Sequence, residues 1–200
     1  MALVLNGSAN TIGGLAVGGL PDSVVDTDMI AAEAVTGAKV ANGGIIQVVQ
    51  AVNTGTAAQD CGTNTWYAGL SFNCAITPST NSNKIIVTYS LSIGTESVPR
   101  EVAIKPTRGG SVITSLIGDA GGSRTQAMTS GVNTPSAASC DQLVFTILDA
   151  PATTSECVYG FQHATMSAGC WTKRNYSMTD TDNASFVRAI STITAMEVVA

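Results

Sequence analysis

Residues 84–93 alternate apolar and polar side chains over ten consecutive positions. Every odd position is apolar, and every even position except Ile86 is polar. A period of two places the two sets on opposite faces of an extended chain, so the pattern predicts an antiparallel strand with one buried face. A single strand cannot bury that face, and its backbone groups need partners, so the rest of the chain has to supply further strands. The predicted buried face consists of Ile85, Val87, Tyr89, Leu91 and Ile93.

Further strand patterns recur from Gly44 onward, and turn residues separate them. They cover residues 45–52, 66–76, 84–93, 101–105, 111–117, 142–148, 157–164 and 186–199. A Gly- and Ser-rich loop is expected over residues 118–139, and Gly109-Gly110 predicts a tight hairpin turn. Eight short strands with no convincing helix between them predict an all-β fold, either an antiparallel, jelly-roll-like β-sandwich or a barrel.

Residues 1–44 differ from the predicted β-sandwich domain of residues 45–200, and we interpret them as an attachment and trimerisation segment. Residues 25–31 and 35–41 align at a ten-residue offset, which fits a short repeat; one amphipathic helix over residues 26–40 fits equally well. Nothing local buries the apolar side chains near the amino terminus, so we expect other chains to cover them. The expected attachment residues are Leu3, Leu5, Ile12, Leu15 and Val17.

The composition limits the classes of partner. Only 12% of the residues are charged and 44% are hydrophobic, and the mean hydropathy is positive. This fits a chain that hides much of its surface in an assembly, although a β-rich secreted domain would have a similar composition. The net charge of −5 and the scattered Lys and Arg residues argue against nucleic acid as a partner. Neither an 18-residue apolar run nor a signal-peptide pattern is present, so neither membrane insertion nor secretion is expected.

The sequence offers no convincing metal or cofactor site. The five cysteines are an odd number with irregular spacing and no C-x-x-C pair, so we expect buried free thiols rather than a zinc site. If a disulfide formed, Cys61 with Cys74 would be the first candidate, because these cysteines flank one predicted strand. Residues 178–183 contain Asp180 and Asp182, but they lack the length and the distant Glu of a calcium loop. We expect a solvated turn there, as we do at Asp26 and Asp28.

Catalysis is not expected either. A Ser-His-Asp triad would have to use His163, the only histidine, which lies in a predicted strand. The segment of residues 118–123 fits a loop better than a phosphate-binding cradle. A glycosidase would need two carboxylates close in space, which a sequence alone does not define. Trp66, Tyr67 and Trp171 could stack on sugar rings if exposed, but such residues more often fill a core or a subunit interface, and we favour that role.

Both ends of the chain resemble one known family. Ala-Leu-Val-Leu-Asn-Gly-Ser-Ala-Asn-Thr-Ile at residues 2–12 is similar to the start of tail-fibre or virion fibre proteins of tailed bacteriophages, notably marine and cyanobacterial ones. The resemblance extends to residues 19–22, 35–40, 82–87 and 191–199. It implies a homotrimeric virion appendage with an amino-terminal attachment region, a carboxy-terminal β-sandwich head and no enzyme activity. Unlike the longer fibres of this family, the chain has almost no shaft.

The resulting hypothesis is a non-enzymatic bacteriophage virion protein, a short trimeric tail fibre or fibre head, assembled in the host cytoplasm. The expected partners are other virion proteins: a tail, adaptor or major capsid protein. A capsid decoration protein, either a cement protein or a head fibre, is the alternative reading. A carbohydrate-binding adhesin module is the third, with a host-surface glycan as its partner.

Overall fold

The computed structural model describes most of the chain beyond residue 43. The described residues are 44–96, 101–130, 138, 140–166 and 169–200, with the backbone alone at 4–6, 11–13 and 131–133. The chain divides into two compact units, Met1–Ala41 and Asn42–Ala200.

The described residues of the first unit form an antiparallel strand pair. Its strands are β1 (Val4–Asn6) and β2 (Thr11–Gly13), and Leu5 pairs with Ile12 across them. The side chains of these two expected attachment residues lie outside the described residues. So do Leu3, Leu15 and Val17, together with the repeat or helix expected over residues 25–41. The assignment of this segment to attachment stays a prediction.

The second unit is built from β-strands. The strands are β3 (Ile45–Asn53), β4 (Ala57–Cys61), β5 (Tyr67–Ala68), β6 (Cys74–Ile76), β7 (Lys84–Thr95), β8 (Glu101–Arg108), β9 (Ser111–Val112), β10 (Thr129–Asn133), β11 (Asp141–Asp149), β12 (Cys157–Thr165), β13 (Cys170–Arg174) and β14 (Ser191–Val198). One short 3₁₀ turn covers Thr114–Leu116, and the described part of the chain contains no α-helix. All of the strand pairings are antiparallel, so the predicted all-β antiparallel fold is confirmed.

Six strands form the front sheet, in which β7 is central. One edge of β7 pairs, through residues 85–93, with all nine residues of β11. The other edge pairs first with β14 and then with β13, because Lys84–Ser90 face β14 and residues 93–95 face β13. Strands β3 and β4 pair in turn with β14 and β13. The front sheet therefore has four strand positions. Two of them consist of two strands that follow each other in line, β3 with β4 and β14 with β13.

The other six strands form the back sheet around β8 and β12. One edge of β12 pairs with β8, and its other edge pairs with β5 and β6. The outer edge of β8 pairs with β9 and β10. The back sheet therefore also has four strand positions, two of them interrupted.

The order of these eight positions is that of a jelly roll. Numbered along the chain, with β3/β4 as the first position and β13/β14 as the eighth, the front sheet reads 1-8-3-6 and the back sheet 2-7-4-5. Two interlocked Greek keys produce this order, and full pairing within two packed sheets leaves only four edges to protect. The jelly-roll-like prediction is confirmed by the connectivity.

The core lies between the two sheets, and β7 supplies its centre. The five odd-numbered side chains from Ile85 to Ile93 are completely buried, as their alternation predicts. The Tyr89 ring stacks on Phe145 of β11 with 4.6 Å between centroids, and its hydroxyl donates to the Gly160 carbonyl of the back sheet at 3.1 Å. This hydrogen bond satisfies the only polar group that Tyr89 brings into the core and links the two sheets.

Three predicted strands are wrong in extent. The expected strand over residues 66–76 is broken between β5 and β6, because Leu70 and Ser71 adopt positive φ values of 55° and 54° in a turn. The strand expected over residues 111–117 ends at Val112, where the 3₁₀ turn follows. The last strand begins at Ser191 rather than at residue 186.

Three strands of the second unit were not predicted at all, and neither were β1 and β2 of the first unit. Strands β4 and β13 pair with each other, and β10 occupies part of the loop expected over residues 118–139. Each has only five residues, which is too short for an alternation pattern to stand out. The tight turn at Gly109-Gly110 is confirmed, with φ values of 57° and 80°.

A single buried asparagine joins β13 to β14 across the intervening loop. Residues 176–190, here called the excursion, leave the sheet after Asn175 and return before Ser191. The Asn175 side chain donates to the Asn53 and Gly55 carbonyls at 2.8 Å each, and Ser191 Oγ donates to Asn175 Oδ1 at 2.6 Å. The Asn175 backbone has a positive φ of 67°, a conformation that Asn tolerates better than most residues. These bonds keep β13 and β14 in line although 16 residues separate Arg174 from Ser191 in the chain.

The register of β7 can be tested with one substitution at two neighbouring positions. Val87→Asn would bury an amide without partners and remove apolar contacts, so we expect it to cost about 4 kcal/mol. Thr88→Asn lies on the outer face, where it should cost less than about 1 kcal/mol. Thermal unfolding followed by circular dichroism measures both, and equal melting temperatures would contradict the register.

Gly94 provides a second test of the packing. A Cβ atom at this position would lie 2.3 Å from the Tyr176 carbonyl oxygen, so the excursion would have to move. We expect Gly94→Ala to destabilise the domain by about 1–3 kcal/mol. Gly118→Ala is the control, because its nearest neighbour is 3.6 Å away, and it should change the stability by no more than about 0.5 kcal/mol. Denaturant titration of both variants would show whether only the first is affected.

Candidate assembly surface

One row of apolar side chains crosses the outer face of the front sheet. The pairing register places Val48, Met196, Ile86 and Leu148 side by side on β3, β14, β7 and β11. All four point away from the core, since the odd positions of β7 face inward. Their alignment makes an apolar band across all four strand positions of the sheet.

Uncharged polar side chains form the neighbouring row. Gln50 donates to Thr194 Oγ1 at 2.8 Å, and the hydroxyls of Thr88 and Thr146 lie 3.0 Å apart. These side chains satisfy one another, so the row presents little unmet hydrogen-bonding capacity. The next row along the strands consists of Val52, Thr192, Ser90 and Val144.

Lys84 is the only charged residue among the outward positions of β3, β7, β11 and β14. It lies at the end of β7 and therefore at the margin of the surface. We call the outward side chains of these four strands the front face. A face with a single marginal charge is unusual on a protein surface in contact with water.

The exposed large hydrophobic residues of the described chain all belong to the front sheet or its excursion. Val144 and Val48 are the most exposed, at 63% and 60%. Single exposed apolar residues are ordinary, but a concentration on one side of a protein marks an interaction surface. The residues are Ile45, Val48, Val52, Val144, Leu148, Trp171, Val187 and Ile190.

The excursion bounds the front face at one end. The Tyr176 carbonyl packs over Gly94 of β7, and Arg188 forms a two-bond ion pair with Asp180, with contacts of 2.8 and 3.0 Å. A surface concavity of about 480 Å³ lies against this ion pair. No cluster of His, Cys, Asp and Glu suited to a metal ion occurs within the described part of the chain. The expectation of a solvated turn at Asp180 and Asp182 fits this arrangement.

The three aromatic residues singled out from the sequence do not come together. Trp66 and Tyr67 belong to the back sheet side, whereas Trp171 lies on β13 of the front sheet. The Lys105 ammonium sits 4.0 Å from the centre of the Trp66 ring and covers one of its faces. The Tyr67 hydroxyl accepts a hydrogen bond from the Gly62 backbone at 3.2 Å. Trp171 is the most exposed of the three, at 39%, and lies on a different sheet from Tyr67, so the three residues form no common platform.

His163 and Cys61 are neighbours, but their surroundings oppose catalysis. Cys61 Sγ lies 3.7 Å from His163 Nδ1 and 3.5 Å from Thr172 Oγ1, and the two residues are buried. Burial lowers the pKa of His163 to about 4, which the Ala68 backbone only partly opposes. Burial also raises the pKa of the Cys61 thiol, although Thr172 hydrogen bonds act in the other direction. A neutral imidazole beside a neutral thiol, without access to water, is core packing rather than an activated nucleophile.

The cysteines carry no disulfide, and all five are among the described residues. Cys61 lies opposite Cys170 across the β4–β13 pair, whereas Cys74 belongs to the back sheet. The candidate pair of Cys61 with Cys74 is therefore not formed.

Two buried carboxylates are held by structural hydrogen bonds. Asp149 accepts bonds from Arg108 and from the Tyr159 hydroxyl, which ties β11 to the back sheet. Glu197 accepts from the Ser79 amide and hydroxyl and from Asn83, each at 2.7 Å. Burial alone would raise the pKa of Glu197, but the Asn83 and Ser79 hydrogen bonds hold it below its ordinary value. Neither carboxylate faces a second one in a groove, as a glycosidase would require.

The apolar row of the front face was not predicted, although the sequence contains a signal for it. Ile86 is the one apolar residue among the even positions of residues 84–93. Val144 and Leu148 interrupt the alternation of β11 in the same way. Within its own strand, each of these apolar residues looks like a random exception to the alternation. Only the pairing register shows that these residues are neighbours.

The comparisons with known proteins give a limited likeness. No family model and no curated protein matches the sequence. One similar solved structure is that of the Gt strain of infectious bursal disease virus, with a TM-score of 0.39 and 11% sequence identity; the match covers 79% of this chain and 38% of that chain. Another is the VP2 subviral particle of infectious bursal disease virus, with a TM-score of 0.36 and 9% sequence identity; the match covers 76% of this chain and 41% of that chain. The Gx strain of this virus gives 0.31 and 16% over 76% of this chain and 37% of that chain. The chain thus spans about two fifths of the length of these proteins, and a likeness at this level does not identify a function.

The pKa of His163 makes stability depend on pH. The unfolded chain takes up a proton near the ordinary value of 6.5 and the folded chain only near 4, so the folded state loses stability as the pH falls between these values. The full loss is about 3 kcal/mol. Urea titration at pH 6.5 and pH 5 should show the beginning of this loss, which His163→Gln should abolish. The same slope in both proteins would contradict the assignment. Glu197 contributes little between pH 6.5 and pH 5, because its stabilising effect is lost only as the pH falls through 4.5, its ordinary pKa in the unfolded chain, towards the lower folded value.

Proposed function

We propose that this protein is a non-enzymatic structural subunit of a bacteriophage virion, a short trimeric tail fibre or the head domain of one. The front face carries this proposal. Its side chains are apolar or uncharged polar apart from Lys84 at its margin, and it contains five of the exposed large hydrophobic residues. A chain with such a face is suited to permanent contact with other protein chains.

The fold is compatible with this role but does not select it. Jelly rolls occur in viral capsid proteins, lectins and cupins, so the fold is an analogy and the function has to be argued from the surface. A cupin-type metal site would need several histidines, and the chain has one, which is buried. A sugar-binding platform of several rings would need them side by side, whereas Tyr67 and Trp171 lie on different sheets and Lys105 covers one face of Trp66. A structural role requires only a surface for other protein chains, and the front face provides one.

The absence of enzyme activity is supported by the state of the reactive groups. Cys61 and His163 are buried and neutral near pH 7, and Asp149 and Glu197 are engaged in hydrogen bonds. These four side chains therefore contribute to stability.

No helix among the described residues is long and apolar enough to cross a membrane.

Residues 1–44 are the proposed attachment segment. They hold a hairpin, and the side chains expected to attach the protein are apolar, including Leu3, Leu5 and Ile12. Other virion proteins, a tail, adaptor or major capsid protein, would supply the covering surface. A subunit seated on the capsid as a decoration protein would use the same front face, and the site on the particle distinguishes the two roles.

Deletion of residues 1–40 tests this division of roles. The truncated protein should keep its β-sheet circular dichroism, because Asn42–Ala200 is a compact unit with its own core. Incorporation into phage particles, measured with labelled antibodies against purified virions, should be lost. The full-length protein serves as the control. Normal occupancy of the truncated protein would assign attachment to the sandwich, and labelling confined to the capsid would favour the decoration role.

A further inference from the structure

We propose that three copies of this chain place their front faces around a common axis parallel to the strands, with β3 of each copy beside β11 of the next. This inference rests on the trimer of the proposed function and specifies its geometry. The axis would then be filled by the apolar row of Val48, Met196, Ile86 and Leu148 from each copy.

The edges of the two sheets differ in a way that favours this arrangement. Both edges of the back sheet are interrupted, one by the turn at Leu70 and Ser71 and the other by the chain between β9 and β10. In the front sheet, the edge strands β3 and β11 are each continuous over nine residues, although residues 54–56 separate β3 from β4 on the same edge. Strand β3 has no charged residue and no proline, and β11 has charges only at Asp141 and Asp149, its ends. Natural proteins protect such edges unless another chain pairs with them.

The strand directions give the pairing mode. Successive antiparallel pairs run from β3 through β14 and β7 to β11, so β3 and β11 run in opposite directions. A rotation about an axis parallel to the strands preserves these directions. Strand β3 of one copy therefore meets β11 of the next in antiparallel orientation, and equal heights along the axis come together. Val52 and Val144 lie in the same row, so they would be neighbours across this contact.

The dimensions of the sheet favour three copies. Four strands at about 4.8 Å are separated by three gaps, and one more gap to the next copy gives a side of about 19 Å. Three such sides enclose an axis about 5.5 Å from each sheet, close to the half-spacing of about 5 Å between packed sheets. Four sides would place the axis about 10 Å from each sheet and leave an unfilled centre. Of these two closed rings, the threefold one brings the side chains of the front faces into contact.

The charge and the area agree with this geometry. Each chain carries a net charge of −5, so copies repel each other unless their contact surface is uncharged, as the front face is apart from Lys84. A face of four strands and about nine residues is on the order of 600 Å² per copy. A standard specific interface buries about 800 Å² per partner, so the front face alone would supply most of this area for each copy.

Cross-linking tests the contact between β3 and β11. The double variant Val52→Cys/Val144→Cys, treated with a short bis-maleimide, should give covalent trimers on a denaturing gel. Each single variant should stay monomeric on the gel, because β3 meets β11 and not its own copy, and an equal mixture of the two single variants should give dimers. The wild-type protein with its five native cysteines is the control for background reaction. Dimers from either single variant would overturn the arrangement, and so would a double variant that shows no cross-links.

A charge substitution tests the filled axis independently. Ile86→Lys should reduce the mass measured by light scattering from three times 20.3 kDa to 20.3 kDa, with an unchanged circular dichroism spectrum. Thr125→Lys, on an exposed loop, is the matched control and should remain trimeric. A trimeric Ile86→Lys variant would overturn the proposal. The virion role is judged separately by particle labelling, so a cross-linked trimer absent from virions would refute that role and leave the geometry intact.

Discussion

The sandwich depends on β7, because this strand contributes to the core and to the sheet order at once. Its inward side chains, Ile85 to Ile93, are completely buried, and its two edges hold β11 on one side and β14 with β13 on the other. A one-residue slip would bring Thr88 and Ser90 into the core and turn Tyr89 away from Gly160. The register of the central strand therefore fixes both the packing of the two sheets and the composition of the front face.

Long strands were predictable from the sequence because each contains its own evidence. Strand β7 alternates over residues 84–93 with Ile86 as the one exception, and such a period of two can be recognised at that length. Strands β3, β11 and β12 are nine residues long and rich in β-branched and aromatic residues, which also favours a strand. The interruptions could not be predicted in this way, since their causes are distant in the chain. Gly69 lies against the Phe161 backbone, where a Cβ atom would approach the carbonyl oxygen to 2.5 Å, and Asn175 is held by Asn53 and Ser191. Tertiary contacts of this kind override the local pattern.

The surface was less predictable than the fold. Low charge indicated an assembly, but it did not indicate which part of the molecule is uncharged. That distinction needed the register that sets Val48, Met196, Ile86 and Leu148 in one row. The aromatic residues attracted attention through their type alone, and the structure places Trp66 under Lys105. Cross-strand neighbours carry more information about an interaction surface than residue types do.

The two ends of the sandwich meet at one corner. The Val199 amide donates to the Gly44 carbonyl at 3.0 Å, and the Ala200 amide approaches Asn83 Oδ1 at 3.4 Å. The two ends of the domain are consequently close enough to be joined by a short linker. Its fold depends more on the pairing of the strands than on where the chain starts. Domains whose ends lie close together commonly tolerate circular permutation, so the chain could be opened at the Gly109-Gly110 turn and the two corner ends joined without a change in strand pairing.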